Sequence, residues 1–155
     1  MPPTTNKISG INAGVAGEYF VAAELSKRGY IASITLRNTK GIDILATNAD
    51  ATKSVNIQVK TRQGKGRAWV MNEKAENYHA SDLFYIFVNL CGEMDRPEFF
   101  IVPSRAVARY VKKNHAEWLV TPGRKGQKHN DTTMRNFRDD KGRFLEAWGN
   151  LGLDV

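Results

Sequence analysis

The sequence predicts a mixed α/β fold, a mixed sheet flanked by helices, and three stretches carry that expectation. Residues 12–29 have helical composition and end on a glycine. Residues 41–61 hold two runs rich in β-branched and aliphatic side chains, separated by a segment of turn composition. Residues 83–90, Leu-Phe-Tyr-Ile-Phe-Val-Asn-Leu, are apolar almost throughout, as befits a central strand buried on both faces. In this order they place the first helix across a sheet.

The elements follow along the chain. Residues 1–11, with Pro2-Pro3-Thr4-Thr5-Asn6, read as a flexible terminus, and residues 12–155 as one domain with a core in 12–114 and a basic extension in 115–155. Asn12 is placed to cap the helix and Gly29 to stop it. Val15, Glu18, Ala22 and Leu25 share one stripe at helical spacing. A carboxylate in line with apolar neighbours is costly unless something pairs with it. Glu18 then lies at the stripe's edge, pairs with Arg37 or Lys40, or shares a metal ion with a second carboxylate.

A strand over residues 31–36 leads into a β-hairpin, Gly41-Ile42-Asp43-Ile44-Leu45-Ala46-Thr47 and Val55-Asn56-Ile57-Gln58-Val59-Lys60-Thr61. A turn centred near Asp50 and Ala51 sets Asp43 across from Gln58 and Lys60 across from Gly41. Opposed residues in such a pair have Cβ atoms about 5 Å apart. Alternation sends Ile57 and Val59 to one face, and Asn56, Gln58, Lys60 and Arg62 to the other. A carboxylate, an amide oxygen and an ammonium are thus expected on one patch, with Gly41 leaving space beside the lysine. That set suits a divalent cation and a phosphate.

Residues 63–67 read as a basic loop, 68–71 as a short strand, 72–79 as an ambiguous segment with a helical turn, and 98–102 as another strand. Pro103-Ser104 opens a helix to about residue 114, with Val107, Tyr110 and Val111 on its apolar stripe. Residues 121–131 form a polar loop, and 143–151 are expected to close the chain as a helix carrying Phe144, Leu145 and Trp148.

The formal net charge is +7, and residues 104–143 account for it with eleven basic and four acidic side chains. Such a region favours a polyanion, most simply nucleic acid, where the bland alternative is a solvated face. Cys91 stands alone, so no disulfide forms within the chain. There is no apolar run of membrane-spanning length and no signal-peptide core, so a reduced cytoplasm and no membrane partner are expected. Gly10, Gly14 and Gly17 lack the preceding strand and the lysine of a phosphate loop. His79, His115 and His129 lack metal-ligand spacing, and Trp69 is assigned to packing rather than base stacking.

Gly17-Glu18 in the first helix, Gly41-Ile42-Asp43 opening a strand and Gln58-Val59-Lys60 on its partner occur in a recognisable order. Leu83 to Val88 follow as a core strand, and Phe99-Phe100-Ile101-Val102-Pro103-Ser104 as a strand-to-helix step. On these residues the chain resembles the PD-(D/E)XK nuclease superfamily, with its restriction-endonuclease-like core, over residues 12–114. It departs from the main pattern at Gln58, where Glu or Asp is usual, and is similar there to the Gln-x-Lys variant of Mrr-like restriction enzymes.

The resemblance implies a Mg²⁺-dependent endonuclease, with Mn²⁺ as an alternative ion, acting on DNA in preference to RNA. It assigns catalytic roles to Asp43, Gln58, Lys60 and Glu18. The expected ion ligands are Glu18, Asp43, the Gln58 side-chain oxygen and the Val59 carbonyl. An amide brings less attraction than a carboxylate, which gives Glu18 more weight. Arg37, Lys40, Arg62, Lys65, Arg67, Arg124, Lys125 and Lys128 are expected to contact phosphates, which positions nucleic acid without reading its sequence. Cleaving both strands would call for a homodimer or a targeting partner. The other reading is a non-catalytic module on the same fold, binding nucleic acid or protein, and the placement of Glu18 separates the two.

Overall fold

Helix α1 spans Gly10–Lys27 and starts earlier than Asn12, because Ser9 is the N-cap and its hydroxyl accepts from the Asn12 amide at 3.1 Å. Gly29 follows at φ 88°, a left-handed position that suits glycine beyond a helix end. The computed structural model describes residues 7–36 and 40–154, so most of the expected flexible terminus lies outside the described residues, and Gly10 and Ile11 are helical. The buried row of α1 is Ala13, Gly17, Val21 and Leu25. Small residues let this row sit closest to the sheet, so Leu25 of the expected stripe is buried while Val15, Glu18 and Ala22 lie half-buried beside the row.

The strands are β1 (Ile31–Ile34), β2 (Ile44–Thr47), β3 (Ser54–Arg62), β4 (Ala68–Asn72), β5 (Leu83–Asn89), β6 (Glu98–Pro103) and β7 (Met134–Arg138), with helix α2 at Ser104–Val120. A five-stranded sheet runs β1-β2-β3-β5-β6, and β4 and β7 form a second, two-stranded sheet. In the large sheet β3 and β5 are parallel and the other pairs antiparallel, so the fold is mixed α/β with a mixed sheet. The crossover from β3 to β5 contains β4 and a 3₁₀ turn at Glu73–Glu76, where a helical turn was expected.

Two cores lie on opposite faces. On one, Val21 and Leu25 of α1 pack on Ile44, Ile57, Ile86, Val88 and Ile101, closed by Trp148 and Leu151. On the other, Val107 and Val111 of α2 pack with Tyr85, Phe87, Phe100, Trp69 and Phe137. All seven residues of β5 are buried, as its unbroken apolar run requires. Trp69 is core, its ring centroid 5.0 Å from Phe87 and 4.8 Å from Phe100.

Three expectations need correction. Helix α2 runs past residue 114 to Val120, since no proline or glycine occurs before Pro122-Gly123 and His115 is buried on its inner face. β7 was not foreseen, because it buries an arginine and a phenylalanine, Arg135 and Phe137, instead of two aliphatic residues. The closing helix over 143–151 is absent apart from a 3₁₀ turn at Trp148–Leu151. Its first half instead lines the edge of β6, with Ile101 N–H donating to Phe144 O at 3.0 Å and Glu146 N–H to Phe99 O at 2.8 Å. An exposed strand edge offers unpaired backbone groups, and here they find partners. The buried Asp139 carboxylate fixes the approach by accepting from the Arg143 and Phe144 amides, each at 2.9 Å. Among the described residues no helix is long and apolar enough to cross a membrane.

Candidate active site

The β2–β3 ladder ends with Ile44 paired to Ile57, and Asp43 hydrogen-bonds to the same Ile57, one residue out of step with the Asp43–Gln58 pairing that the hairpin turn implies. Asp43 sits just outside β2 and is held from both sides. Its N–H donates to Ile57 O at 2.8 Å, and its carbonyl accepts from Thr35 N–H at 2.9 Å. The Thr35 hydroxyl donates to Ile42 O at 2.6 Å. Asp43 Oδ2 accepts from Val59 N–H of β3 at 2.7 Å, so the carboxylate takes the place of a carbonyl from the partner strand.

Helix α1 brings the second acid. At Gly17 the helix crosses β3 so closely that a Cβ would strike the side chain of Thr61. The next residue is Glu18, which thereby reaches the ribbon's end. Glu18 and Asp43 line one cavity of about 240 Å³, together with Gly10, Gly14, Val15 and Thr35. Among the described residues nothing lies within 4 Å of where a Cβ at Gly10 or Gly14 would stand.

Burial raises the Asp43 carboxyl above its usual value, against the Val59 amide and the Lys60 charge, which lower it. Charged oxygen in a partly dehydrated cavity gains from a bound cation. Among the described residues no three His, Cys, Asp or Glu side chains gather in a metal-holding group. The side-chain carboxylates that line this cavity are those of Glu18 and Asp43. Mg²⁺ is commonly held by one or two carboxylates while keeping several waters, so this donor set suits it.

The expected residues divide into two groups. Glu18 and Asp43 come together. Gln58 and Lys60 are outside the cavity lining and pair in register with Tyr85 and Phe87, whose rings belong to the α2-side core. Val59 packs on the α1 side, as alternation requires. Lys60 remains close enough to act on the Asp43 charge.

Gly41, at φ 73°, does not leave open space beside the lysine. Tyr78 fills it, with its hydroxyl donating to Gly41 O at 3.0 Å, and a Cβ at this glycine would run into the phenol. No sequence spacing pointed to Tyr78 or Thr35, because both act through the backbone that carries Asp43.

Of the expected phosphate contacts, Lys40, Lys65, Arg124, Lys125 and Lys128 are exposed, and Arg37 lies outside the described residues. Arg62 donates to Ala68 O at 2.9 Å and lies against Gly66. The Arg67 guanidinium sits 5.0 Å over the Phe100 ring with its Nη1 buried. Both arginines therefore brace the loop from within.

No family model matches the chain, and no curated protein does. Among solved structures the chain is similar to a bacterial homing endonuclease, I-Ssp6803I, with a TM-score of 0.52 and 14% sequence identity. The match covers 95% of this chain and 93% of that one, so the likeness of fold extends over nearly the whole of both.

Proposed function

We propose that this protein is a metal-dependent nuclease of the restriction-endonuclease-like type, hydrolysing phosphodiester bonds in DNA in preference to RNA. The observation that carries the reading is the cavity shared by Glu18 and Asp43 at the end of the ribbon bearing Gln58-Val59-Lys60. The likeness of fold to a homing endonuclease supports it, as does the +7 charge with its exposed Lys65, Arg124, Lys125 and Lys128.

Glu18 and Asp43 would hold Mg²⁺ or Mn²⁺, with the Gln58 amide oxygen and the Val59 carbonyl as further donors. Such an ion, when bound, polarises the phosphate and lowers the pKa of a bound water. Asp43 is fixed by Val59 N–H so that its carboxylate keeps one orientation. Lys60 contributes positive charge that offsets what develops on the phosphate oxygens and orients the attacking water. The exposed basic side chains hold neighbouring phosphates. A homodimer would supply the second site needed to cut both strands.

A non-catalytic nucleic-acid-binding module on the same fold is the second reading, favoured by the placement of Gln58 and Lys60 outside the cavity lining. Supercoiled plasmid incubated with Mg²⁺ or Mn²⁺ separates the two. The nuclease reading expects nicking that a chelator abolishes and that Lys60→Ala slows by about 100-fold, the scale of removing one charge-stabilising group. Plasmid bound but uncut under every condition would establish the module. Equal cleavage by wild type and Lys60→Ala would point to a contaminating nuclease and remove the mechanism.

A further inference from the structure

Tyr78 reaches the turn before Asp43 from the segment that precedes β5. It is half-buried, and its hydroxyl donates to Gly41 O at 3.0 Å. The segment that delivers it is anchored at both ends. Upstream, Ala75 is buried and Glu76 Oε1 accepts from Arg135 Nε of β7 at 2.8 Å, with the Arg135 side chain only 7% exposed. Downstream, the buried Ser104 at the head of α2 holds Ala80 twice, accepting from its N–H at 3.1 Å and donating to its carbonyl at 3.0 Å. Between these anchors Tyr78 N–H donates to Lys74 O at 3.1 Å.

On the other side of the contact, Gly41 stands at φ 73° and its Cα faces the phenol too closely for any side chain. Two residues later comes Asp43, whose Oδ2 takes the Val59 amide. A left-handed turn with a single residue type tolerated and a single side chain pressed into it has one low-energy arrangement. Burial first, and then the Asp43 charge, hold the phenol above its ordinary value, so its hydroxyl stays protonated and able to donate.

We propose that Tyr78 is a positioning residue for the candidate active site: by locking the Gly41 turn it sets the orientation of the Asp43 carboxylate against β3. The inference rests on Asp43 being the working acid of the proposed nuclease. It links the small β4–β7 sheet and α2 to the chemistry, since both hold the segment that carries Tyr78.

Tyr78→Phe tests this, because it keeps the ring in place and removes only the donor. Two readouts are needed, amide hydrogen exchange by NMR and cleavage kinetics on plasmid with Mg²⁺. Exchange of the Val59 amide is expected to speed up by about 5- to 10-fold, the scale of losing one net hydrogen bond. Amides of Phe100 and Ile101, in β6 at the far edge of the sheet, are expected to exchange as in wild type. The kcat is expected to fall by roughly ten-fold with KM within about two-fold, the pattern of a disturbed reaction geometry. Gly41→Ala, which displaces the phenol from the other side, is expected to give the same Val59 signature.

A Tyr78→Phe protein with wild-type Val59 exchange and wild-type kcat overturns the proposal. So does uniform acceleration at Val59, Phe100 and Ile101, which would make Tyr78 a core residue and no more. Fast Val59 exchange in a protein whose wild type never cuts DNA would leave the positioning claim standing and remove the nuclease reading.

Discussion

Asp43→Asn is expected to lower metal-dependent cleavage by about 1000-fold or more, roughly 4 kcal/mol of transition-state stabilisation. The amide keeps an oxygen for Val59 N–H, which now meets Asp43 Oδ2 at 2.7 Å, so the turn and the hairpin register survive. What disappears is the negative charge, and Glu18 is then the remaining acid in the cavity lining. The same substitution should leave the protein at least as stable near neutral pH. Burial is the largest influence on the Asp43 carboxyl and raises its pKa in the folded state. The folded protein therefore binds that proton more tightly than the unfolded chain does. Stability contributed by the protonated acid is present below the unfolded carboxylate value and is lost as pH rises through the higher folded one. Thermal unfolding of the two proteins should coincide at low pH, with the wild type falling behind as pH rises through that window. A variant that is markedly less stable than wild type near neutral pH would show that the charge is satisfied in the fold.

Gly17→Leu is expected to cost about 3 kcal/mol of stability, the upper end of the range for overfilling a packed interior. Even a single Cβ at residue 17 meets the Thr61 hydroxyl and Cβ, which belong to a short, branched side chain on β3 with little freedom to move aside. Gly17→Ala sets a helix-propensity gain of about 1 kcal/mol against this clash, and the clash wins by about 1 kcal/mol. The Thr61 hydroxyl is buried and finds no hydrogen-bond partner among the described residues. Thr61→Ala should thus be close to neutral alone and should relieve part of the Gly17→Ala cost, a coupling that a double-mutant cycle measures. Because α1 must lift off β3 to admit the larger residue, Glu18 moves away from Asp43. Cleavage by Gly17→Leu should therefore fall further than its urea midpoint explains. Full activity in a destabilised variant would separate the helix position from the chemistry.

The hairpin was the most legible part of this chain. Alternating side chains and a turn near Asp50 give the register from Thr47 and Ser54 to Ile44 and Ile57, because a strand's period of two leaves little choice once one face is buried. The one-residue slip that joins Asp43 to Ile57 leaves no mark in the pattern. The apolar run of β5 and the helical composition of α1 were equally plain, since each must be covered on the faces where it is apolar. The rotation of α1 was harder to read. Its buried row includes Ala13 and Gly17, and small residues carry almost no hydrophobic signal although they allow the closest packing. β7 and the strand-like stretch after Gly142 were hidden for a related reason. They answer a need of β4 and β6 for edge partners, and that need is visible only once the sheets exist. Within the site, Glu18 and Asp43 announced themselves by being acids in apolar or ribbon positions. Tyr78 left no such mark, because its work is done on a backbone carbonyl 37 residues away in sequence.

The central claim is that Glu18 and Asp43 together form one seat for a divalent cation. Titration of the folded protein with Mn²⁺, followed by the loss of its free electron-spin signal and needing no cleavage at all, tests it most directly. One Mn²⁺ per chain is expected for wild type, with at least about ten-fold weaker binding by Glu18→Gln and no measurable binding by Asp43→Asn, as loss of a charged oxygen ligand from a hard-cation site requires. Identical Mn²⁺ binding by the wild type and both variants would contradict it.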